Sequence, residues 1–225
     1  MIIGLVGFIG SGKDTAADYL VNFHGFRRDS FAATLKDAVA DIFGWDRTLI
    51  EGRTTESREW RECQDEWWSE RLGMPITPRW ILQQWGTEVC RQGFHDDIWI
   101  ASLENKIRKT NDNMVITDVR FPNEINAIKN SGGKVFRIKR GPDPEWYQDA
   151  LNFNEGPTNM SWALSKMRLD QKQVHASERS WIGKGIDVEI DNNGSIDDLF
   201  GQLKSQVASL LVATAPPPCA NSSGS

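Results

Sequence analysis

The 225-residue chain carries 26 basic and 31 acidic side chains, a formal net charge of -5 and 39% hydrophobic residues. Mild acidity excludes a general DNA or RNA binder, which needs a basic footprint to displace counterions from phosphates, but it does not exclude a small phosphorylated ligand. No run approaches the roughly 20 apolar residues of a membrane span; Cys63, Cys90 and Cys219 form no CxxC pair, so neither a zinc site nor a disulfide framework is expected, and the chain reads as soluble and cytoplasmic.

Met1 to Val6 is almost wholly apolar, as in a strand buried on both faces of a parallel sheet. A glycine-rich turn leads into a helix from about Lys13 to Phe23. Phe26 to Phe31 reads as a second strand, followed by a helix with Leu35, Val39, Ile42 and Phe43 inside and Gly44 as its stop. Trp45 to Pro78 is charged and tryptophan-rich without a clean period, and predicts a solvent-facing helical excursion. Its tryptophans read either as core and lid packing or as platforms for a base.

Arg79 to Gln92 and Ile98 to Ile107 read as helices. Met114 to Thr117 is a clear strand ending at Asp118, Pro122 opens another helix, and Lys134 to Lys139 alternates as a strand. Gly141 to Gly185 has the composition of a mobile excursion. Ile186 to Asp191 is the last strand, and Ser195 with Asp198 caps a helix to about Leu211. The expected organisation is one domain over residues 1–211, with a helical insertion at 45–110, a lid-like insertion at 141–185 and a disordered tail at 212–225. Strands alternating with helices give an α/β fold with a parallel sheet, whose ligands bind beyond the carboxyl ends of the strands.

Two sequence features fall at that edge. Gly7-Phe8-Ile9-Gly10-Ser11-Gly12-Lys13 satisfies G-x-x-x-x-G-K between a strand and a helix, the context of a phosphate loop. Its amides curl toward one centre, the helix N-terminus adds partial positive charge, and Lys13 reaches the outer phosphates. Asp14, with Thr15 behind it, replaces the usual hydroxyl residue after the lysine. Adenylate-kinase-type enzymes also lack that hydroxyl, so the departure favours a nucleotide kinase over a GTPase switch or motor. The second feature, Val115-Ile116-Thr117-Asp118, places a carboxylate at the end of an apolar strand, where magnesium or its water shell sits. Arg120, two residues on, suits bidentate phosphate binding. Further back, Arg79, Gln83, Thr87 and Arg91 step by four and share one polar face of a helix. That face reads either as solvated surface or as a pocket for a phosphate and a base edge.

The segments GFIGSGKDTAADYL, FAATLKDAV, RWILQQWGTEVCRQ with DDIWI, VITDVRFPNE, HASE and IDVEIDNNGSIDDL, in this order, resemble the deoxynucleoside monophosphate kinases of tailed bacteriophages, within the P-loop nucleoside-monophosphate-kinase superfamily. The similarity covers most of Met1 to Leu211 and is thin over 45–78 and 142–174. It implies a three-layer P-loop fold with a five-stranded parallel sheet, an NMP-binding region and a lid. It also implies transfer of the γ-phosphoryl group of ATP, with Mg2+, to a deoxynucleoside 5′-monophosphate.

By this resemblance Gly7, Gly10, Ser11, Gly12, Lys13, Asp14, Thr15 and Asn192 serve ATP. Asp14, Lys36, Arg79, Gln83, Thr87, Arg91, Trp99, Asp118, Arg120 and Glu178 serve the acceptor, with Trp99 as the stacking tryptophan. Lys13, Asp118, Arg120 and Arg140 act in catalysis, and Asp14 and Asp118 hold the metal through water. Arg140 is the first choice among the lid arginines, ahead of Arg137, Arg168 and Arg179. The resemblance leaves monomer and homodimer open. Two rivals remain: another small-metabolite kinase, of dephospho-coenzyme-A or shikimate kinase type, and a P-loop ATPase or regulatory nucleotide-binding protein.

Overall fold

The computed structural model describes residues 1–157 and 160–214. β1 (Ile2–Val6) is buried along its whole length, because strands pair with it on both sides and helices cover both faces. α1 (Lys13–His24) leaves the glycine-rich turn and ends at Gly25, whose φ of 66° lies in the left-handed region. β2 (Arg27–Asp29) and α2 (Ala33–Phe43) follow. Then come α3 (Arg47–Glu51), α4 (Thr55–Glu62), α5 (Glu66–Leu72) and α6 (Pro78–Gln83), the last continuing into a π-helical segment, Gln84–Gln92. Asp46, Thr54, Asp65 and Thr77 each cap the helix that follows by accepting a backbone N–H.

α7 (Ile98–Ile107) returns to the sheet at β3 (Met114–Ile116), followed by α8 (Pro122–Asn130) and β4 (Lys134–Lys139). α9 (Tyr147–Asn154), α10 (Met160–Gln171) and α11 (Ala176–Arg179) fill the lid-like stretch before β5 (Val188–Asp191) and α12 (Ile196–Thr214). The sheet has five parallel strands in the order β2-β3-β1-β4-β5. The first strand thus lies at the centre, and its carboxyl end opens between β3 and β4.

Period-two alternation in β1 splits the core in two. Ile3 and Leu5 join Ala16, Ala17 and Leu20 of α1 and Leu199, Leu203 and Val207 of α12 on one face. Ile2 and Val6 join Ile125 and Ile128 of α8 and Leu103 of α7 on the other. Gly4 is needed there because a Cβ would strike the Ile128 side chain.

The helical excursion has a third core of its own. Leu35, Val39, Phe43, Ile50, Ile76, Ile81 and Trp99 are buried in it, with Trp45, Trp60, Trp68, Trp80 and Trp85 packed against them. Even partly buried indoles need acceptors: Trp68 Nε1 donates to the Phe43 carbonyl at 3.0 Å and Trp45 Nε1 to Asp65 Oδ2 at 2.8 Å. Packing therefore accounts for most of this cluster; Trp67 alone of the six stays largely exposed, at 62%.

Several expectations are revised. β2, β3 and β5 are shorter than the expected spans of 26–31, 114–117 and 186–191. The 141–185 stretch is not a loose excursion over its described part. Ala150, Leu169, Trp181 and Ile182 are buried in the core on the α8 face of the sheet. The last helix runs past Leu211 to Thr214, so the expected tail begins as helix, and from residue 215 on it lies outside the described residues. No helix among the described residues is long and apolar enough to cross a membrane.

Candidate active site

Val6 hands the chain to a loop whose conformation only glycine tolerates at three places. Gly7, Gly10 and Gly12 have φ of 146°, 77° and 98°. A Cβ on Gly7 would meet the Ile138 carbonyl, and one on Gly12 the Asn192 side chain. The loop ends at the N-terminus of α1, which no side chain caps, so its first N–H groups stand ready for an anion. The Ser11 hydroxyl is buried inside the turn without a partner among the described residues. Lys13 is folded back, its Nζ donating to the carbonyls of Gly7 at 2.8 Å and Phe8 at 2.9 Å. Burial, with Arg120 adding repulsion, lowers its pKa to about 8. A cradle closed to side chains, an orphaned hydroxyl and a half-desolvated ammonium together fit a polyphosphate.

Asp118 lines the cavity beside this loop, and its carboxylate closes the β2–α2 connection. Oδ1 accepts the Phe31 N–H at 2.9 Å and Oδ2 the Ala32 N–H at 3.1 Å. Burial raises its pKa, against the pull of those two N–H groups and of Lys36 and Arg120. Glu124, in the first turn of α8, is 4% exposed. Its Oε2 accepts the N–H groups of Arg120 at 2.7 Å and Phe121 at 3.1 Å, fixing the turn that carries Arg120. Arg91 stands 3.9 Å from Oε1. The place of Glu124 in the first turn of α8, two residues after Pro122, is the signal that could have flagged it.

Burial, and then the nearby Asp118 charge, push the Glu124 pKa up to about 7 from 4.5. The folded state keeps a proton that the unfolded chain releases in this interval, so this contribution to stability is complete below pH 4.5 and is lost as pH rises through 7. Glu124→Gln keeps one acceptor oxygen and cannot ionise. Thermal or urea melts should show it gaining on wild type by on the order of 3 kcal/mol between pH 4.5 and 8; a difference independent of pH would refute the shift.

A cavity of about 440 Å³ brings together Gly7, Phe8, Ile9 and Lys13 with the Thr117–Arg120 turn, Arg140, Glu178 and an aromatic wall of Trp146 and Trp181. Of the four arginines expected to serve a lid, Arg140 is the one lining this space. Arg137 is buried, Arg168 pairs with Asp149 at 3.3 Å, and Arg179 lies against the Phe153 ring at 4.5 Å.

Other expected site residues stand elsewhere. Asp14, expected to hold the metal through water, is paired with Arg28 of β2, which also holds Asp18 at 3.1 Å; an arginine thus offsets the carboxylate that stands in place of the usual hydroxyl. Thr15 is exposed on the first turn of α1. Asn192 braces the loop: Nδ2 donates to the Ser11 carbonyl at 2.8 Å, and its backbone N–H to the Lys139 carbonyl at 2.7 Å. Lys36 is held by Glu51 at 2.7 Å and Arg79 by Glu62 at 2.8 Å.

Trp99 is 8% exposed and its indole donates to the Gly86 carbonyl at 2.9 Å, so it is a core residue in this conformation and not a free platform. Its acceptor lies within the π-helical segment Gln84–Gln92, whose winding departs from the 3.6-residue period of an α-helix. The step-by-four face of Arg79, Gln83, Thr87 and Arg91 therefore does not survive as one stripe. Gln83 and Thr87 stay exposed, while Arg91 turns to Glu124.

A five-stranded parallel sheet with a glycine phosphate loop at its central strand, a strand-end aspartate beside it and arginines across the cavity defines a P-loop nucleotide-phosphate-binding protein. No family model matches the sequence. The chain is 30% identical, over 242 aligned positions, to the deoxynucleoside-5′-monophosphate kinase of Escherichia phage T5, covering 85% of this chain and 89% of that one. It is 36% identical over 154 positions to an inferred deoxynucleotide monophosphate kinase of Acanthamoeba polyphaga mimivirus, covering 62% and 74%. Among solved structures, shikimate kinase from Aquifex aeolicus overlays with a TM-score of 0.43 at 13% identity, covering 94% of this chain and 99% of that one. Dephospho-CoA kinase from Campylobacter jejuni gives 0.39 at 16%, covering 93% and 96%. The chain belongs to the deoxynucleoside monophosphate kinase family; it is a phosphotransferase, and the family's reaction draws on ATP.

Proposed function

We propose that the protein transfers the γ-phosphoryl group of ATP to a deoxynucleoside 5′-monophosphate, the phosphates of both nucleotides meeting in the cavity over Lys13. The observation that carries this reading is the juxtaposition, in one cavity, of the phosphate loop with Asp118, Arg120 and Arg140. Little proton chemistry is asked of the protein in phosphoryl transfer; alignment and neutralisation of the oxygens supply the acceleration.

In this reading the donor's outer phosphates displace Lys13 from the Gly7 and Phe8 carbonyls and take its ammonium and the α1 amides. Arg120, fixed by Glu124, takes the acceptor phosphate, with Lys36 and Arg91 as further cations on that side. Arg140 reaches in from the lid side, and Glu178 with the wall of Trp146 and Trp181 closes the cavity. Arg79, Gln83 and Thr87 contribute from the helical insertion once Arg79 leaves Glu62.

Magnesium would accompany the ATP phosphates. A hard cation that retains several waters suits one flanking carboxylate better than a full protein cage, and no cluster of three candidate ligands exists among the described residues. Asp118 fits that place through a metal-bound water, whereas Asp14, neutralised by Arg28, fits it less well. When bound, the ion would offset charge on the transferring group.

The deciding experiment is a steady-state screen of deoxy- and ribonucleoside monophosphates, shikimate and dephospho-coenzyme A, followed by ADP release. ADP formation dependent on a deoxynucleotide supports the reading, and turnover without any acceptor would replace it with an ATPase. Arg120→Ala and Arg79→Ala should raise the acceptor KM on the order of tenfold or more, as for loss of a charge-assisted hydrogen bond, and change the ATP KM little. Equal effects on both substrates would remove either residue from the acceptor side.

A further inference from the structure

Arg137 lies directly across from Val6, the last residue of β1, in the β1–β4 register, one step from the phosphate loop. Only 6% of it is exposed, and a guanidinium taken out of water is costly unless paired. Five parts of the molecule supply its surroundings. Nη1 donates to Glu189 Oε2 of β5 at 2.8 Å and to the Tyr147 hydroxyl of α9 at 3.0 Å, and Nη2 pairs with Asp143 in the connection that leaves β4. Its charge also sits 4.9 Å from the Tyr147 ring centroid, 5.3 Å from that of Trp181 and 6.0 Å from that of Phe8. Nε has no hydrogen-bond partner among the described residues.

Phe8 makes this more than a structural ion pair. It is the second residue of the phosphate loop, and its ring is enclosed by Trp146 at 5.5 Å, Tyr147 at 6.3 Å and Trp181 at 5.2 Å, all from the stretch between β4 and β5. Its carbonyl accepts Lys13 Nζ and the Ser11 N–H. A shift of Phe8 therefore shifts both the parked position of Lys13 and the turn that presents the loop amides. Phe8, Trp146 and Trp181 also line the shared cavity, so an acceptor touching that wall acts on the same cluster.

We propose that Arg137 is a positioning residue that ties the lid to the phosphate loop through Phe8, so that acceptor binding against the lid tightens the loop's hold on ATP. The proposal rests on the reading that donor and acceptor share this cavity. Asp143, Tyr147 and Trp181 cannot move relative to Phe8 without changing the partners of one buried cation. The cost of leaving that cation short of partners links the two ends.

The test is calorimetric titration of a non-hydrolysable ATP analogue with and without saturating deoxynucleoside monophosphate. Wild type should bind the analogue about tenfold more tightly when the acceptor is present. Arg137→Lys keeps the charge but cannot hold two carboxylates and a hydroxyl in one plane, and Phe8→Leu removes the ring while leaving every buried ion pair in place. Both should bring the ratio close to one. Wild type with a ratio of one, or a folded Phe8→Leu protein with the wild-type ratio, overturns the proposal; if Arg137→Lys fails to fold, the Phe8→Leu result decides. Lys13→Ala, titrated in parallel, keeps the two ideas apart. Undiminished analogue binding there would sink the phosphate-loop reading itself and not the coupling alone.

Discussion

Lys13→Ala should lower kcat/KM for ATP by roughly 10²–10³, the scale seen when one preorganised charge at a developing anion is removed. Circular dichroism and cooperative melting should remain close to wild type, because Lys13 otherwise makes only two hydrogen bonds to loop carbonyls. Lys13→Arg should not restore activity, since a planar fork replaces a compact ammonium in a space fitted to the latter. The pH profile gives a second readout. Burial leaves the unliganded lysine with a pKa of about 8, and an incoming polyanion favours its charged form. ATP binding should therefore be level below pH 8 and weaken above it, by up to about tenfold per pH unit until the pKa of the bound form is reached. Lys13→Ala should lack that limb; a variant that kept it would assign the limb to another group.

Asp118→Ala should combine a loss of activity with a loss of stability. It leaves the Phe31 and Ala32 N–H groups without their acceptors, at on the order of 1–3 kcal/mol for each buried donor. It also releases the β2–α2 connection that sets the start of α2 and thus the place of Lys36. Asp118→Asn keeps the shape and one acceptor oxygen, so it should recover part of the stability in urea melts. It should recover little turnover if the carboxylate's charge is what the reaction needs. Full activity in Asp118→Asn would reduce the residue to a structural clamp.

Local chemistry made much of this fold readable from the sequence. The buried central strand, the G-x-x-x-x-G-K turn and the strand ending at Asp118 declare themselves through residue types that have few alternative uses. The resemblance to phage deoxynucleoside monophosphate kinases agrees with the relatives found. Tertiary partners were less accessible. Nothing in the one-dimensional pattern says that Arg28 from β2 claims Asp14, that Asn192 from the end of β5 reaches Ser11, or that Trp99 spends its N–H on Gly86. The step-by-four face of 79–91 assumed a constant 3.6-residue period, and one side-chain bond to a helix carbonyl accompanies a different winding. Glu124 and Arg137 share one difficulty: in a sequence, buried charges look like surface charges until their partners are known.

The tryptophan-lined core of the insertion also has a spectroscopic consequence. Six of the chain's ten tryptophans lie between positions 45 and 85, and five of those pack into that separate core. Intrinsic emission therefore reports disproportionately on one helical lobe. Loosening of that lobe would red-shift the signal while the sheet stayed intact, so emission and far-ultraviolet dichroism would follow different foldons within the same chain.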